Sequence, residues 1–416
     1  MCRKKTIVLC LAVSSFLSTQ VVAQEVDRAI ELKKHTPKGI YVLNEDSDEQ
    51  SAATAYATGM TTSPAYENVI DGHAIYLPLA QILPSVTTWG QFNWNWTYLD
   101  TLVQVAVANN KKFSIEMGVG YQSGSTYLQS LPMGFESACG TDCAALFDVW
   151  TVGGPSGRCI SAFVPFPWNK NVREMWQAAA RALSEHLHQT GVYDSLTMLH
   201  VPGLSIYDEE LRLPTGFPAP PTGSTAVCPD GRTAIPAVAD DASVSRWEDL
   251  GYSDTAVITG FGKIAHAFAN VFPDPFLALS LLNPGTIGLD FPNLTGTDPV
   301  GYVASQLVKK VTDIAPGRVQ LQSDDLDTNF VLQEVIDYAS DYSTFIGWQT
   351  NKRDGSGAAC NGLPCVDLGT TGTPYFDIIQ EGAQNSGRYL EVWSHDVVSY
   401  PNSFATTKAD GYFPSR

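Results

Sequence analysis

Positive charge is scarce in this chain. Only 25 Lys and Arg stand against 43 Asp and Glu in 416 residues, a formal net charge of −18. Such a surface repels phosphate backbones and anionic lipid, so nucleic acid and membrane surfaces are poor partners. Long apolar runs are also missing: beyond the amino terminus nothing reaches the roughly 18 uncharged apolar residues of a spanning helix. A Gly-x-Ser-x-Gly elbow, a Walker loop and a His-Glu-x-x-His pair are all absent, which removes the usual marks of serine hydrolases, nucleotide hydrolases and zincins. Gly260-Phe261-Gly262-Lys263-Ile264-Ala265 matches a dinucleotide fingerprint only in letters, because it lies inside a helical pattern instead of opening one. Asp325-Leu326-Asp327 begins like a calcium loop, yet Phe330 stands where Gly is required and Ile336 where the bidentate Glu belongs. No cofactor and no metal site is expected. With 44% hydrophobic and 16% charged residues the chain is globular, neither disordered nor collagenous nor coiled coil.

Residues 1–23 read as a signal peptide. Arg3, Lys4 and Lys5 form a basic start, an apolar run follows from Thr6 to Leu17, and Val21-Val22-Ala23 precedes Gln24. The mature protein is expected to begin near Gln24, to comprise a single domain over 24–416, and to be secreted or periplasmic. Cys10 follows Leu9 where a lipobox needs a small residue, so no membrane anchor is expected. Two cysteines leave with the leader and six stay: Cys139, Cys143, Cys159, Cys228, Cys360 and Cys365. The close pairs lie in Gly/Asp-rich loops with no His cluster beside them, which favours disulfides over zinc. The expected bridges are Cys139 with Cys143, Cys360 with Cys365, and Cys159 with Cys228.

Short β-branched or aromatic runs alternate with amphipathic segments along the chain. Strands are predicted at 40–43, 74–79, 112–118, 196–201, 276–282, 319–324, 344–349 and 389–393. Helices are predicted at 98–108, 172–189, 255–271 behind an Asp254 N-cap, 300–314, 330–340 and 375–384, with Gly191 closing the second. Eight strand–helix units predict an α/β fold of the (β/α)₈ TIM-barrel type. The long irregular stretches 119–171, 202–247 and 350–373 all follow strands and contain every remaining cysteine. They become long disulfide-stapled loops at the carboxyl-terminal face, where barrel active sites lie.

Strand alternation then selects the side chains that enter the bore, since the outer face must be apolar to meet helices. Glu391 and Trp393 turn inward, as do Gln320, Gln322, Asp324 and Glu116, and Gln349 reaches the mouth. Glu116 and Gln322 fit a deeper polar core satisfied by water, whereas Asp324, Gln349 and Glu391 are candidates for ligand contact. The loop after the fourth strand carries Asp208-Glu209-Glu210. Neighbouring like charges raise one another's pKa, which suits a proton donor, and Glu210 is favoured because Leu211 and Leu213 anchor its segment. A donor plus a second carboxylate is the equipment of glycosidic cleavage. Trp89, Trp94, Trp96, Trp150, Trp168, Trp348 and Trp393 fall at strand ends or in loops, where aromatic faces can meet sugar rings; Trp348 and Trp393 are the candidates nearest the site. Trp176 and Trp247 read as helix-face core.

Gly72-His73-Ala74-Ile75-Tyr76-Leu77-Pro78-Leu79, Gln91-Phe92-Asn93-Trp94, Tyr98-Leu99-Asp100 and Lys111-Lys112-Phe113, together with Trp393, resemble the clan-A glycoside hydrolases. These are retaining (β/α)₈ enzymes that include cellulases and β-galactosidases. The resemblance spans roughly residues 38–400. It implies an acid/base Glu after strand four, usually behind Asn, and a nucleophilic Glu ending strand seven. Here Glu210 stands further along the loop and strand seven ends in Gln349, whose amide cannot form a glycosyl-enzyme ester. The expectation is therefore an exported glycoside hydrolase-like protein that acts on a poly- or oligosaccharide by carboxylate acid/base chemistry. Glu210 would donate the proton, and Glu391 or Asp324 would serve as the second carboxylate. The alternative is a barrel that binds carbohydrate without catalysis.

Overall fold

The computed structural model describes residues 34–43, 61, 64–119, 131–151, 158–204, 211, 213, 220–228, 231, 233, 244–281, 301–326, 331–350, 369 and 374–414. Eight parallel strands close a barrel: β1 Gly39–Leu43, β2 Ile70–Pro78, β3 Lys112–Gly118, β6 Leu196–His200, β7 Phe276–Ser280, β8 Val319–Leu326, β9 Phe345–Thr350 and β10 Gly387–Trp393. Two further strands, β4 Ala144–Thr151 and β5 Arg158–Pro165, form a separate antiparallel hairpin. β1 pairs with both β2 and β10, which closes the ring. Each expected barrel strand is present, with ends shifted by a few residues at most.

Period-two patterning explains the wall. Ile40 and Val42, Ile75 and Leu77, Phe113 and Ile115, Leu277 and Leu279, Val319 and Leu321, and Leu390 and Val392 are buried in the layer between strands and helices. Against them pack α1 Thr97–Ala108, α2 Lys170–Gln189, α3 Asp254–Val271, α4 Tyr302–Ile314, α5 Gln333–Tyr342 and α6 Pro374–Gln384, followed by α7 Pro401–Ala409. In α2, Val172, Met175, Trp176, Ala179, Ala180 and Leu183 are buried on one stripe, and the Asn169 side chain caps the first turn by accepting from the N–H groups of Asn171 and Val172. Gly191, just past the end of α2, adopts φ +74°, which a side chain would resist. The cap of α3 differs from expectation. Ser253 Oγ accepts from the Ala256 N–H (3.2 Å), and Asp254 is the first helical residue.

The glycines Gly260 and Gly262 sit inside α3. A Cβ on Gly260 would stand 2.3 Å from the carbonyl oxygen of Pro167, so this glycine serves close packing rather than a nucleotide. No helix among the described residues is long and apolar enough to cross a membrane.

The hairpin corrects the reading of 119–171 as irregular. Leu146, Phe147, Val149 and Trp150 on one side, and Ile160, Phe163 and Val164 on the other, are strand-forming residues that flank the turn-forming sequence Gly153-Gly154-Pro155-Ser156-Gly157. The hairpin is fixed at both ends. Phe147 stacks on Trp247 (4.4 Å between centroids) and carries the Arg246 guanidinium at 4.4 Å. At the other end Cys159 is joined to Cys228, across 69 residues of sequence, with Trp150 packed over the bridge. Cys139 is joined to Cys143 at the end of a short helix, Phe135–Cys139. Cys360 and Cys365 lie outside the described residues.

Candidate active site in the barrel bore

The inward positions of β3, β6, β7, β8, β9 and β10 converge on one polar cluster. Glu116 of β3 and His200 of β6 are register partners, so their side chains enter the bore at the same level. His200 Nε2 lies 3.2 Å from Glu116 Oε1 and 3.9 Å from Glu391 Oε1. Glu391 comes from β10, which β1 and β2 separate from β3, so it meets the other two across the bore. One ligand atom from each of Glu116, His200 and Glu391 lies within 4.8 Å of the others, and all three residues are buried.

Each member is held from behind. Gln322 on β8 donates its amide to Glu391 Oε2 (2.6 Å), and the Tyr389 hydroxyl donates to Glu391 Oε1. With its proton given to Glu391, Tyr389 accepts from Ser114 Oγ (2.9 Å). Tyr389 therefore stays neutral; burial first, then the charge of Glu391, raises its pKa well above the ordinary tyrosine range. His200 Nδ1 sits 2.9 Å from Ser280 Oγ on β7. Burial pushes the His200 pKa down to about 3, so the imidazole is neutral at ordinary pH.

The expected site residues divide as follows. Glu391 is inside the bore, fully buried. Gln349 is buried beside it as its register partner on β9. Trp393 is half-buried against the inner cluster at the carboxyl end of β10, and its indole N–H donates to the Thr350 carbonyl (2.9 Å). Trp348 is a correction. Alternation on β9 turns it away from Gly347 and Gln349, and it lies fully buried in the strand–helix layer against Gly382 and Gly387, where no sugar can reach it. Asp324 belongs to β8 by its backbone, and its side chain lies outside the described residues, as does the whole of Glu210.

Several loop tryptophans also prove to be packing. Trp89 meets Phe92 and Phe135 edge-on, Trp150 covers the Cys159–Cys228 bridge, and Trp168 stacks on Phe166 and donates to the Leu250 carbonyl. Glu116 and Gln322, expected as a deeper water-filled core, instead share the level of Glu391 and touch or flank it.

His200 is the residue that sequence reasoning missed. Its signal was available: in Leu196-Thr197-Met198-Leu199-His200 the same alternation that selects Glu391 turns His200 inward, in register with Glu116. Ser280, at the end of Phe276-Leu277-Ala278-Leu279-Ser280, is selected by the same rule.

No protein-family profile matches this chain. No curated protein matches it either. Among solved structures it is similar to a GH5-4 broad specificity endoglucanase from an uncultured bacterium (9% identity, 92% of this chain and 95% of that chain, TM-score 0.47). It is also similar to GH10 from Paenibacillus barcinonensis (10% identity, 93% of this chain and 98% of that chain, TM-score 0.45). A third similar structure is TsXylA, an intracellular xylanase from Thermoanaerobacterium saccharolyticum (11% identity, 87% of each chain, TM-score 0.41). Likeness at this level assigns neither a family nor an activity; the barrel itself is established by its strand pairing.

Proposed function

We propose that this protein is a glycoside hydrolase-like barrel that acts on an oligo- or polysaccharide, with Glu391 and Glu116 as its carboxylate pair. The observation that carries this reading is the approach of their carboxylate oxygens to within 4.8 Å, both beside the Nε2 atom of His200. Paired carboxylates of retaining glycosidases stand about 5–5.5 Å apart and those of inverting enzymes roughly 6.5–9.5 Å, so the spacing favours retention. Glu391, oriented by Tyr389 and Gln322, takes the role of the second carboxylate. Glu116 joins Glu210 as a candidate proton donor. Export is part of the proposal, supported by the signal-like residues 1–23 and by two disulfides, which persist in oxidising compartments.

The test is a panel of aryl glycosides and oligosaccharides assayed on wild type, Glu116→Gln, Glu210→Gln and Glu391→Gln. Turnover that survives Glu391→Gln undiminished removes Glu391 from the chemistry. A second reading, carbohydrate binding without catalysis, is favoured by Gln349 at the end of β9 and His200 at the end of β6. The end of β9 lacks the carboxylate that the resemblance places there, and β6 ends in a histidine. Sugar binding by wild type with no turnover on any substrate decides for it.

A further inference from the structure

We propose that Glu116, His200 and Glu391 form a binding site for one divalent first-row transition-metal ion of the Zn²⁺ or Mn²⁺ kind. The sequence pointed to no metal, because the three ligands come from strands far apart in the chain and follow no short-range spacing. The fold brings them together from β3, β6 and β10.

Donor geometry is the first support. Metal–ligand distances of about 2.0–2.2 Å set neighbouring donors roughly 3.0–3.5 Å apart. His200 Nε2 stands 3.2 Å from Glu116 Oε1 and 3.9 Å from Glu391 Oε1. The third pair lies within 4.8 Å.

The second support is independent of spacing and lies in the imidazole. Nε2 is buried beside the two carboxylates, 3.2 Å and 3.9 Å from their nearest oxygens, yet it makes no hydrogen bond. Its other nitrogen is engaged by Ser280 Oγ at 2.9 Å. In the tautomer whose Nδ1–H donates to Ser280, Nε2 presents the lone pair through which histidine binds metals. Glu391 carries its own outer support, the Gln322 amide and the Tyr389 hydroxyl, which fix the carboxylate as an outer shell fixes a ligand.

The donor set narrows the ion. Mg²⁺ and Ca²⁺ prefer oxygen alone, thiolate-seeking ions find no sulfur in this set, and imidazole with carboxylate suits Zn²⁺, Mn²⁺ and Fe²⁺. The inference stands without the hydrolase reading and constrains it: an ion held here engages both carboxylates, so the loaded protein cannot use them as a free acid/base pair.

The experiment uses the full chain, stripped with a chelator and then titrated with Zn²⁺ and Mn²⁺ by calorimetry, with metal content counted after desalting. One ion per chain is expected. His200→Ala should abolish stoichiometric retention, and Ser280→Ala should weaken affinity by about 10–100-fold, the usual effect of an outer-shell change. Should His200→Ala fail to fold, as judged by circular dichroism, the nearly isosteric Glu116→Gln decides in its place. Retention below one ion per chain in wild type overturns the site, as does full retention in both His200→Ala and Glu116→Gln. Glycoside assays on the stripped protein run alongside, so a failed hydrolase reading leaves the metal result intact, and the reverse.

Discussion

The amino-terminal and carboxyl-terminal halves of the bore are lined by the same strands but built from different materials. In the amino-terminal half Tyr41, Ala74, Phe276, Ala278 and Tyr389 pack together with Phe345, and Tyr41 and Tyr389 lie 4.6 Å apart. The Arg388 guanidinium covers the Phe345 ring at 3.1 Å and the Phe276 ring at 5.0 Å, and burial lowers its pKa to about 9. Toward the carboxyl ends of the same strands come Glu116, His200, Gln322, Gln349 and Glu391, with Glu391 the next inward residue after Tyr389. Aromatic packing below stabilises the barrel by apolar burial and does not depend on exact polar partners. The polar layer above contributes specificity at the expense of stability, because each buried charge must be held by a designated neighbour. Tyr389 belongs to both, with its ring in the lower cluster and its hydroxyl on Glu391.

Breaking the upper layer should affect chemistry most. Glu391→Gln is expected to keep the fold, since the amide nearly matches the carboxylate in volume, and to lower glycoside turnover by about 10²–10⁴-fold, the usual worth of one acid/base group. Steady-state rates on an activated aryl glycoside and on an oligosaccharide check it, with circular dichroism as the control for folding. Breaking the lower layer should do the reverse. Phe276→Ala removes a buried ring that packs edge-on against Phe345 and beside Arg388, and should cost about 3–5 kcal/mol of stability in denaturant unfolding. If its kcat falls in proportion to its stability, the two halves are not separable in the way proposed.

The next effect concerns the loop face. Replacing Cys159 and Cys228 by serine frees a segment closed over 69 residues and should cost about 4.4 kcal/mol on the loop-entropy account, less if the reduced chain keeps structure. Trp150, packed on the bridge, gives the readout: its fluorescence should move toward that of an exposed indole while the barrel's far-ultraviolet signal persists.

Most of the barrel was legible because its strands obey a period of two and its helices a period near four, both of which are local properties. The inward glutamates followed from the same rule; Trp348 was chosen as a sugar platform against it, since alternation with Gln349 turns Trp348 outward into the strand–helix layer. What local patterning could not supply was which inward groups share a level. That depends on register between strands distant in sequence, and it is why Glu116 read as a deeper core residue and His200 was passed over. The hairpin of β4 and β5 was hidden differently. Its alternation was present, but it interrupts the strand–helix order and so fell into a stretch assigned to loop.

The smallest effect compares the bore with its outer surface through two buried histidines. His200 faces inward, whereas His73, one residue from the inward Ala74, faces outward, where its Nε2 meets the Tyr66 hydroxyl at 2.7 Å. Burial first, then the Lys111 charge, lowers the His73 pKa to about 3. Above about pH 6.5 this histidine is neutral in both the folded and the unfolded chain and has no effect on stability. As the pH falls below that value the unfolded chain takes up a proton that the folded chain refuses, so stability is lost progressively until the folded pKa is reached. His73→Gln keeps a partner for the Tyr66 hydroxyl and removes the titration. The difference in unfolding free energy between wild type and this variant should therefore shift against wild type by about 1–2 kcal/mol between pH 7 and pH 5, the slope expected of one group binding a proton only when unfolded. Denaturant melts of both proteins at half-unit pH steps measure it. Parallel stability curves for the two proteins across that range would mean that His73 is protonated within the fold, and that the outer surface of β2 tolerates a charge its burial argues against.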